Sequence, residues 1–169
     1  MENIKNLKAE NGVEKLKELV KAINICLFCT NLDRNYGATC RPMSAQEVDD
    51  EGNIWFFSNI NSDKNLEIQQ DSVVQLIFSH PGKNSYMIVN GAAEIFNDRK
   101  KIAELWSPIV KIWFEEGKDD PDISLIKVST QNAYYWDTDG NKMVNFFKFL
   151  ASVATGSNLV AGVEGSIKI

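Results

Sequence analysis

Few side chains in this sequence could act as catalytic groups, and most of them lack the partners that catalysis requires. His80 is the only histidine, and it stands beside Pro81 in a predicted turn. Ser-His-Asp or Cys-His chemistry would therefore depend on one loop residue with no orienting partner. We expect no hydrolytic activity, and no residue qualifies from the sequence as a catalytic acid or base.

The three cysteines are Cys26, Cys29 and Cys40. Cys26 and Cys29 have the spacing of redox and zinc motifs, but residues three apart on a strand point to opposite faces. No second cysteine or histidine pair is present to complete a zinc shell. Because we predict no export signal at the N-terminus, an odd number of cysteines indicates reduced thiols. We therefore expect buried structural cysteines and no disulfide.

Two acidic segments have some features of cation sites. The segment at 137–141 begins like a calcium loop, but its glycine comes too early and Lys148 stands where a glutamate is needed. The acids at 115–122 flank a glycine and a proline, which is more typical of a solvated loop than of a metal site. We expect no metal. The sequence also lacks the Gly-x-Gly and Walker-type loops of the commonest nucleotide-binding designs.

Four polar residues remain, and together they could bind a phosphate. Arg41, one of only three arginines, lies on a predicted strand, and Ser58 lies near the end of another. Ser62 is the predicted N-cap of a short helix over 62–70, and Lys64 lies in its first turn. The N–H groups and dipole of a helix N-terminus attract anions and disfavour a cation that has no anion nearby. A phosphate cradle is one interpretation, and an exposed lysine tolerated at a cost of ~0.3–1 kcal/mol is the other.

The elements that would position these residues follow from the period of the apolar side chains. A helical period from Val13 to Ile23 predicts an amphipathic first helix. Period-two patterns rich in β-branched and aromatic residues then predict six strands, at 25–30, 36–43, 53–59, 73–79, 86–96 and 123–130. Hairpin-length connections favour an antiparallel meander, and Gly91 predicts the sharp strand bend that barrels require. We expect a mainly β fold with flanking helices (α+β), built on a six-stranded antiparallel split barrel.

Helical periodicity also returns after the fifth strand. We predict helical segments from Asp98 through Trp106 and from Pro108 to Trp113. An apolar stripe predicts a last helix at about 142–155, and the Gly/Ser-rich tail at 156–169 is expected to be mobile. With no internal repeat and no linker, residues 1–169 are predicted to form a single domain.

Charge and hydropathy limit the possible partners. Eighteen basic against 23 acidic residues give a net charge of -5, so the chain repels phosphate backbones and anionic lipid surfaces. The apolar stretch at 143–153 is interrupted by polar residues and is far shorter than the ~20 residues of a membrane span. We expect no nucleic acid partner and no membrane association, and we predict a cytoplasmic protein.

A set of short segments is similar to one family. These segments are Arg41-Pro42-Met43, Ile54 to Asn59, Ser62-Asp63-Lys64, Tyr86 to Gly91 with Ala93, Asp98 with Leu105-Trp106-x-Pro108 and Trp113-Phe114, Gly117 to Asp122, and Tyr135-Trp136-Asp137. They resemble the pyridoxamine 5'-phosphate oxidase-like flavoproteins, and more narrowly their general stress protein subgroup. The resemblance runs from the first helix to Asp137, and its last two segments are the most specific.

The resemblance implies FMN as the ligand and a homodimer with two FMN sites at the subunit interface. Arg41 and Lys64 would bind the FMN phosphate, and Ser58 and Ser62 would add hydroxyl hydrogen bonds to it. The ribityl chain and ring would be lined by Pro42, Met43, Phe57 and Asn59.

Three further positions belong to this implied site. Asp63 stands where many relatives have a basic residue or histidine, which lowers the local positive charge. Tyr86 stands where the oxidases proper have a glutamine near the flavin, so ring contacts there should differ. Trp106, Trp113 and Trp136 have the spacing of core residues; the alternative is that one of the three stacks at the flavin edge from the other subunit, and Trp106 is included among the predicted cofactor-binding residues.

The predicted function is therefore an FMN-binding, oxidoreductase-like protein with an unidentified small-molecule redox substrate. The alternative is a non-catalytic flavin carrier or stress-response binding protein. A barrel that binds haem or a deazaflavin is a third possibility, but His80 alone leaves haem little to ligate. The true oxidases carry an Arg-x-His element near the C-terminus, whereas this chain has no arginine after Arg99. We expect no pyridoxine phosphate oxidase activity.

Overall fold

The structure, a computed structural model, describes residues 3–4, 7–8, 10–33, 37–138 and 162–168. The helices of these ranges are α1 (Glu10–Ile23), α2 (Asp63–Gln70) and α3 (Arg99–Leu105). The strands are β1 (Asn3–Ile4), β2 (Leu7–Lys8), β3 (Ile25–Thr30), β4 (Thr39–Val48), β5 (Asn53–Asn59), β6 (Val73–His80), β7 (Ser85–Phe96), β8 (Ile123–Thr138) and β9 (Gly162–Lys168). Single turns of 3-10 helix cover Pro81–Lys83, Val110–Ile112 and Gly117–Asp119.

Six antiparallel strands form a closed barrel. Their order is β5-β4-β3-β6-β7-β8, and β8 pairs with β5 to close it. The predicted six-stranded, mainly β fold with flanking helices is thereby confirmed. The predicted sixth strand is β8, and it continues to Thr138 rather than ending at 130. Its second half is paired with β7 on one side and with β9 on the other.

The barrel core is built from the apolar face of each strand and from α1. Leu16 and Leu19 of α1 are fully buried in one cluster with Phe28, Phe56 and Phe78 of the strands. Burial of this apolar surface is the main favourable contribution to the free energy of folding. A second, smaller apolar cluster packs α3 and the segment that follows it against the outside of β5 and β8.

Gly91 lies where the β7–β8 pairing shifts register, between Asn90 and Gly91. A Cβ atom at this position would overlap the backbone carbonyl oxygen of Ser129. The close approach of the two strands therefore requires a residue without a side chain, as expected at a bend in a barrel strand.

The helical segments after β7 are shorter than the sequence predicts. Asp98 is the N-cap of α3 and accepts hydrogen bonds from the N–H groups of Lys100 (2.9 Å) and Lys101 (3.2 Å). The helix ends at Leu105, and the predicted helix from Pro108 to Trp113 is only the 3-10 turn Val110–Ile112. Among the described residues, no helix is long and apolar enough to cross a membrane.

The C-terminal residues differ from the expected mobile tail. Residues 162–168 form β9, which pairs antiparallel with β8 and parallel with β1 and β2. Gly165 and Ile167 are buried, whereas Lys168 is exposed. This segment therefore has the alternating burial of a strand, despite the glycine and serine content that predicted a mobile tail. The predicted helix at 142–155 and the tail at 156–161 lie outside the described residues.

The prediction of three reduced cysteines is wrong. Cys29 and Cys40 form a disulfide between the adjacent strands β3 and β4, where they are directly opposed with Cα atoms 4.1 Å apart. Cys26 and Cys29 are three residues apart on β3, so they face opposite sides, and the partner of Cys29 comes from the next strand. Cys26 is a buried free thiol, and burial raises its pKa to about 12.

Candidate functional site

The predicted phosphate-binding residues lie where β4, the end of β5 and the start of α2 meet. β4 and β5 are adjacent antiparallel strands, and a tight turn joins β5 to α2. In that turn the N–H of Ser62 donates to the carbonyl oxygen of Asn59 (3.1 Å), and the N–H of Asn61 donates to the Asn59 side chain (2.8 Å). This local folding places the N-terminus of α2 beside the barrel strands.

Arg41 is held by two residues that sequence reasoning missed. Its guanidinium donates to the Thr30 hydroxyl (2.8 Å) and to the Glu67 carboxylate (2.7 Å). The Thr30 hydroxyl in turn donates to the same carboxylate oxygen (2.6 Å). The three side chains form one network that crosses β3, β4 and α2. It orients the guanidinium and neutralises part of its charge.

Lys64 is the second cation of this region, and its environment is unfavourable for a positive charge. Burial and then the positive charge of Arg41 lower the pKa of its ammonium group below the usual 10.5. Within the described ranges, no carboxylate forms an ion pair with Lys64, whereas Arg41 has Glu67. Two neighbouring cations, one of them half-buried without a counter-ion, constitute a site that an anion would stabilise.

Ser58 and Ser62 lie close together, but their roles differ. Their hydroxyl oxygens are 3.2 Å apart, and Ser58 is buried with its hydroxyl donating to the Asn65 side chain (2.7 Å). Asn65 also donates to the Ser124 hydroxyl (3.0 Å). Ser58 therefore belongs to a buried network that fixes α2 on β5 and β8. Ser62 makes no side-chain cap bond to α2, so its half-buried hydroxyl can turn toward a ligand.

Two predicted residues have other contacts or surroundings in the described structure. The Asn59 side chain accepts the Asn61 N–H, so it shapes the turn between β5 and α2. Asp63 is exposed in the first turn of α2, where an acidic side chain interacts favourably with the helix dipole.

An apolar pocket of about 130 Å³ opens on the neighbouring part of β4. Its lining residues are Pro42, Met43, Ser44, Gln46, Phe57, Val110, Trp113 and Phe114. Three of the residues predicted to line the ribityl chain and ring, Pro42, Met43 and Phe57, therefore come together here. A larger groove of about 410 Å³ lies between α1 and β4, but it contains none of the predicted site residues.

The tryptophan that lines the pocket is Trp113 and not Trp106. Trp106 packs edge-on against Phe57 at a centroid distance of 5.9 Å, as part of the small cluster outside the barrel. Trp113 is 64% exposed. Because α3 ends at Leu105, the chain turns and brings Trp113 to the pocket instead.

Tyr86 lies far from this pocket within one chain. Tyr86 lies on β7, where it pairs with Ser79 of β6 and Trp136 of β8. The strands β3 and β6 separate β7 from β4 in the sheet. The Tyr86 side chain is partly exposed on the outer face of the barrel. The structure therefore brings Arg41, Ser58, Ser62 and Lys64 together next to Pro42, Met43 and Phe57, and leaves Tyr86 outside that group.

One family model matches most of the chain, and solved structures share the same fold. A family model described as pyridoxamine 5'-phosphate oxidase like matches residues 11–159. A candidate general stress protein 26 from Jannaschia sp. CCS1 superposes with a TM-score of 0.79 at 21% identity, over 95% of this chain and 99% of that one. The general stress FMN/FAD binding protein of Xanthomonas citri superposes with a TM-score of 0.64 at 26% identity, over 77% and 90% of the two chains.

Protein bli-3 of Neurospora crassa is 26% identical over 90 residues, which is 48% of this chain and 43% of that protein. The chain thus matches less than half the length of this curated relative.

Proposed function

Because the chain belongs to the pyridoxamine 5'-phosphate oxidase-like family, we propose that it binds FMN and acts as an oxidoreductase-like flavoprotein. The observation that carries the proposal is the half-buried ammonium of Lys64, which lies beside Arg41 and next to an apolar pocket and forms no ion pair with a carboxylate of the described residues. FMN combines a phosphate with a planar, largely apolar ring. A pair of cations next to such a pocket matches both parts of that ligand.

Each group of residues has a part in holding the cofactor. Arg41 and Lys64 would bind the phosphate, with Thr30 and Glu67 fixing the direction of the guanidinium. Ser62 would add a hydroxyl hydrogen bond, and Ser58 would support it from the buried network. Phe57 and Met43 would exclude water from the ring. The bound flavin would supply the electron-transfer chemistry, while the protein supplies binding and orientation.

One observation favours the alternative of a non-catalytic flavin carrier. The side chains lining the pocket are apolar except for Ser44 and Gln46, and none of them ionises near neutral pH. The pocket itself therefore offers no group suited to general acid–base catalysis. Oxidation of reduced nicotinamide with an added electron acceptor separates the two functions, because a carrier gives no turnover above free FMN.

The absorption spectrum of the purified protein tests the proposal. We expect the visible bands of an oxidised flavin, and FMN as the compound released on heating. A colourless protein that also fails to bind added FMN would contradict the proposed function.

The outer face of the barrel supports the proposed homodimer. Leu27, Ile77, Ile88 and Tyr134 form one cross-strand row on β3, β6, β7 and β8. Leu27 is 47% exposed, and the exposed Tyr134 and Trp136 rings pack edge-to-face with their centroids 4.6 Å apart. A contiguous apolar face of this kind is typical of an interface, and closed two-fold dimers are the commonest oligomers. Because Tyr86 lies at the edge of this face, it would reach a flavin in the second copy rather than in its own chain.

We predict that light scattering gives twice the chain mass and that Leu27→Lys gives a monomer at micromolar concentration. The reason is that a lysine in the middle of the apolar row would have to be desolvated in the interface. Leu66→Lys is the matched control, because Leu66 is equally exposed but lies on α2. A wild-type monomer that holds FMN stoichiometrically would refute an interface site.

We predict no appreciable oxidation of pyridoxine phosphate. That substrate carries its own phosphate and requires cations beside the flavin ring, whereas the pocket lining contains none. Lysines could replace only the charge of the missing arginine and not its planar, two-pronged geometry. FMN-loaded protein is incubated with pyridoxine phosphate and oxygen, and pyridoxal phosphate and peroxide are assayed. Turnover near the enzyme median of ~10 per second would overturn the prediction.

FMN affinity is expected to fall with rising pH in the alkaline range. The protonated form of Lys64 attracts the phosphate, and burial and Arg41 lower its pKa in the free protein below 10.5. The phosphate charge raises that pKa on binding, so affinity is lost as the pH rises through the free-protein pKa. Kd is measured from neutral pH to about pH 10.5. Lys64→Arg should remove this decline in the same range, and an equal decline in both proteins would contradict the assignment to Lys64.

A further inference from the structure

We propose that the Cys29–Cys40 disulfide is a thiol–disulfide exchange site that a dithiol opens, and that opening it weakens the Arg41 cradle. The effect on FMN rests on the proposed function, whereas the exchange itself does not. The bond joins neighbouring strands at directly opposed positions, close to the end of the β3–β4 ladder.

The accessibility of the two sulfurs favours exchange at Cys40. Cys40 is exposed, whereas Cys29 is buried. Beside them in the same cross-strand row runs a chain of amide hydrogen bonds, from Gln75 to Asn90 (2.9 Å) and from Asn90 to Asn132 (3.0 Å). This row is polar, so the disulfide lies at the rim of the proposed dimer face and not in its apolar centre. Exposed disulfides are characteristically the labile ones.

The exchange proceeds in two balanced steps. One thiolate of the dithiol attacks the Cys40 sulfur, the Cys29–Cys40 bond breaks, and Cys29 leaves as a thiolate that takes up a proton. The second thiol of the dithiol then attacks the mixed disulfide and releases Cys40. The dithiol loses two electrons and becomes a disulfide, and the protein gains two thiols. The reverse reaction with that disulfide closes the bond again.

The fold accommodates the opened form. The Cys29 sulfur lies 3.8 Å from the carbonyl oxygen of Leu27, which can accept a weak hydrogen bond from the thiol that reduction creates. Cys26 does not compete in the exchange, because it is buried on the opposite face of β3 with a pKa of about 12.

The disulfide is coupled to the cradle through the backbone. Cys40 precedes Arg41, Cys29 precedes Thr30, and the Thr30 hydroxyl accepts a hydrogen bond from the Arg41 guanidinium. The covalent bond therefore holds together the two strand positions next to this contact. Opening the bond leaves the strand ends tied by hydrogen bonds alone. We expect FMN affinity to fall about three- to tenfold in the reduced protein, with riboflavin affinity unchanged because riboflavin has no phosphate.

Labelling of the folded full-length protein tests the exchange. The protein is treated with dithiothreitol and then with N-ethylmaleimide, and modified peptides are identified by mass. We expect no label before reduction, rapid labelling of Cys40 after it, and loss of labelling when oxidised dithiothreitol is added first. Labelling of Cys40 without reduction, or a disulfide that opens only in denaturant, would overturn the exchange site.

FMN titration in both redox states tests the coupling. The double variant C29S/C40S should show the weaker FMN affinity and no response to dithiothreitol, whereas Cys26→Ala should keep the wild-type response. Equal FMN affinity in the oxidised and reduced wild-type protein would overturn the coupling and leave flavin binding intact. Absence of FMN binding in both states would instead contradict the proposed function and the coupling together, while the labelling result still decides the exchange.

Discussion

Replacing Lys64 with alanine is expected to weaken FMN binding by roughly ten- to a hundredfold, because the phosphate loses one charge-assisted hydrogen bond worth ~1.5–3 kcal/mol. Lys64 is the cleaner of the two cations to remove. It has no ion-pair partner within the described ranges, whereas Arg41 also holds Thr30 and Glu67. Isothermal titration of FMN into wild-type and variant protein measures the change.

Riboflavin and a distant lysine provide the controls for this prediction. Riboflavin affinity should be nearly the same for wild type and Lys64→Ala, because the lost contact is to the phosphate. Lys100→Ala removes an exposed lysine from α3 and should leave FMN affinity unchanged. An equal loss for FMN and riboflavin in Lys64→Ala would show that Lys64 supports the fold and does not bind the phosphate.

Asn65→Ala is expected to lower the free energy of unfolding by roughly 2–4 kcal/mol. Asn65 is 1% exposed, and its side chain bonds the Ser58 hydroxyl, the Ser124 hydroxyl and the Ile60 carbonyl oxygen. Each of these bonds contributes about 1 kcal/mol, and the buried Ser58 hydroxyl loses the acceptor of its hydrogen. Alanine therefore leaves α2 tied to the barrel by apolar contacts and by the contacts of Glu67 with Thr30 and Arg41.

Urea unfolding followed by fluorescence gives this free energy. Leu66→Ala is the matched control, because Leu66 is the next residue on α2 but is 52% exposed, and its replacement should change stability by less than about 0.5 kcal/mol. A change of that small size in Asn65→Ala as well would mean that the network does not secure α2.

The sequence predicted best those features that depend on one strand or helix alone. The period-two pattern of apolar residues identified the barrel strands. Gly91 identified the bend, because only a residue without a Cβ fits against Ser129. The disulfide and β9 were missed for a shared reason. Both depend on which strand lies alongside, and the register that opposes Cys29 to Cys40 or β8 to β9 cannot be read from one segment.

The residues of the candidate site also fall into two groups, those that one element is enough to identify and those that depend on how two elements pack. Arg41, Ser62 and Lys64 could be selected from residue type and position relative to a predicted strand or helix N-cap. Thr30 and Glu67 could not, because they become partners of Arg41 only when β3 and α2 are placed beside β4. Spacing could not distinguish Trp106 from Trp113, because the position of Trp113 at the pocket depends on the end of α3 at Leu105.

Parallel titration of the wild-type protein with FMN and with riboflavin tests the central claim most directly. The two ligands share the ring and ribityl chain and differ only in the phosphate that Arg41 and Lys64 are proposed to bind. Two charge-assisted hydrogen bonds of ~1.5–3 kcal/mol each correspond to FMN binding at least about a hundredfold more tightly than riboflavin. Equal affinities for the two ligands would contradict the phosphate cradle.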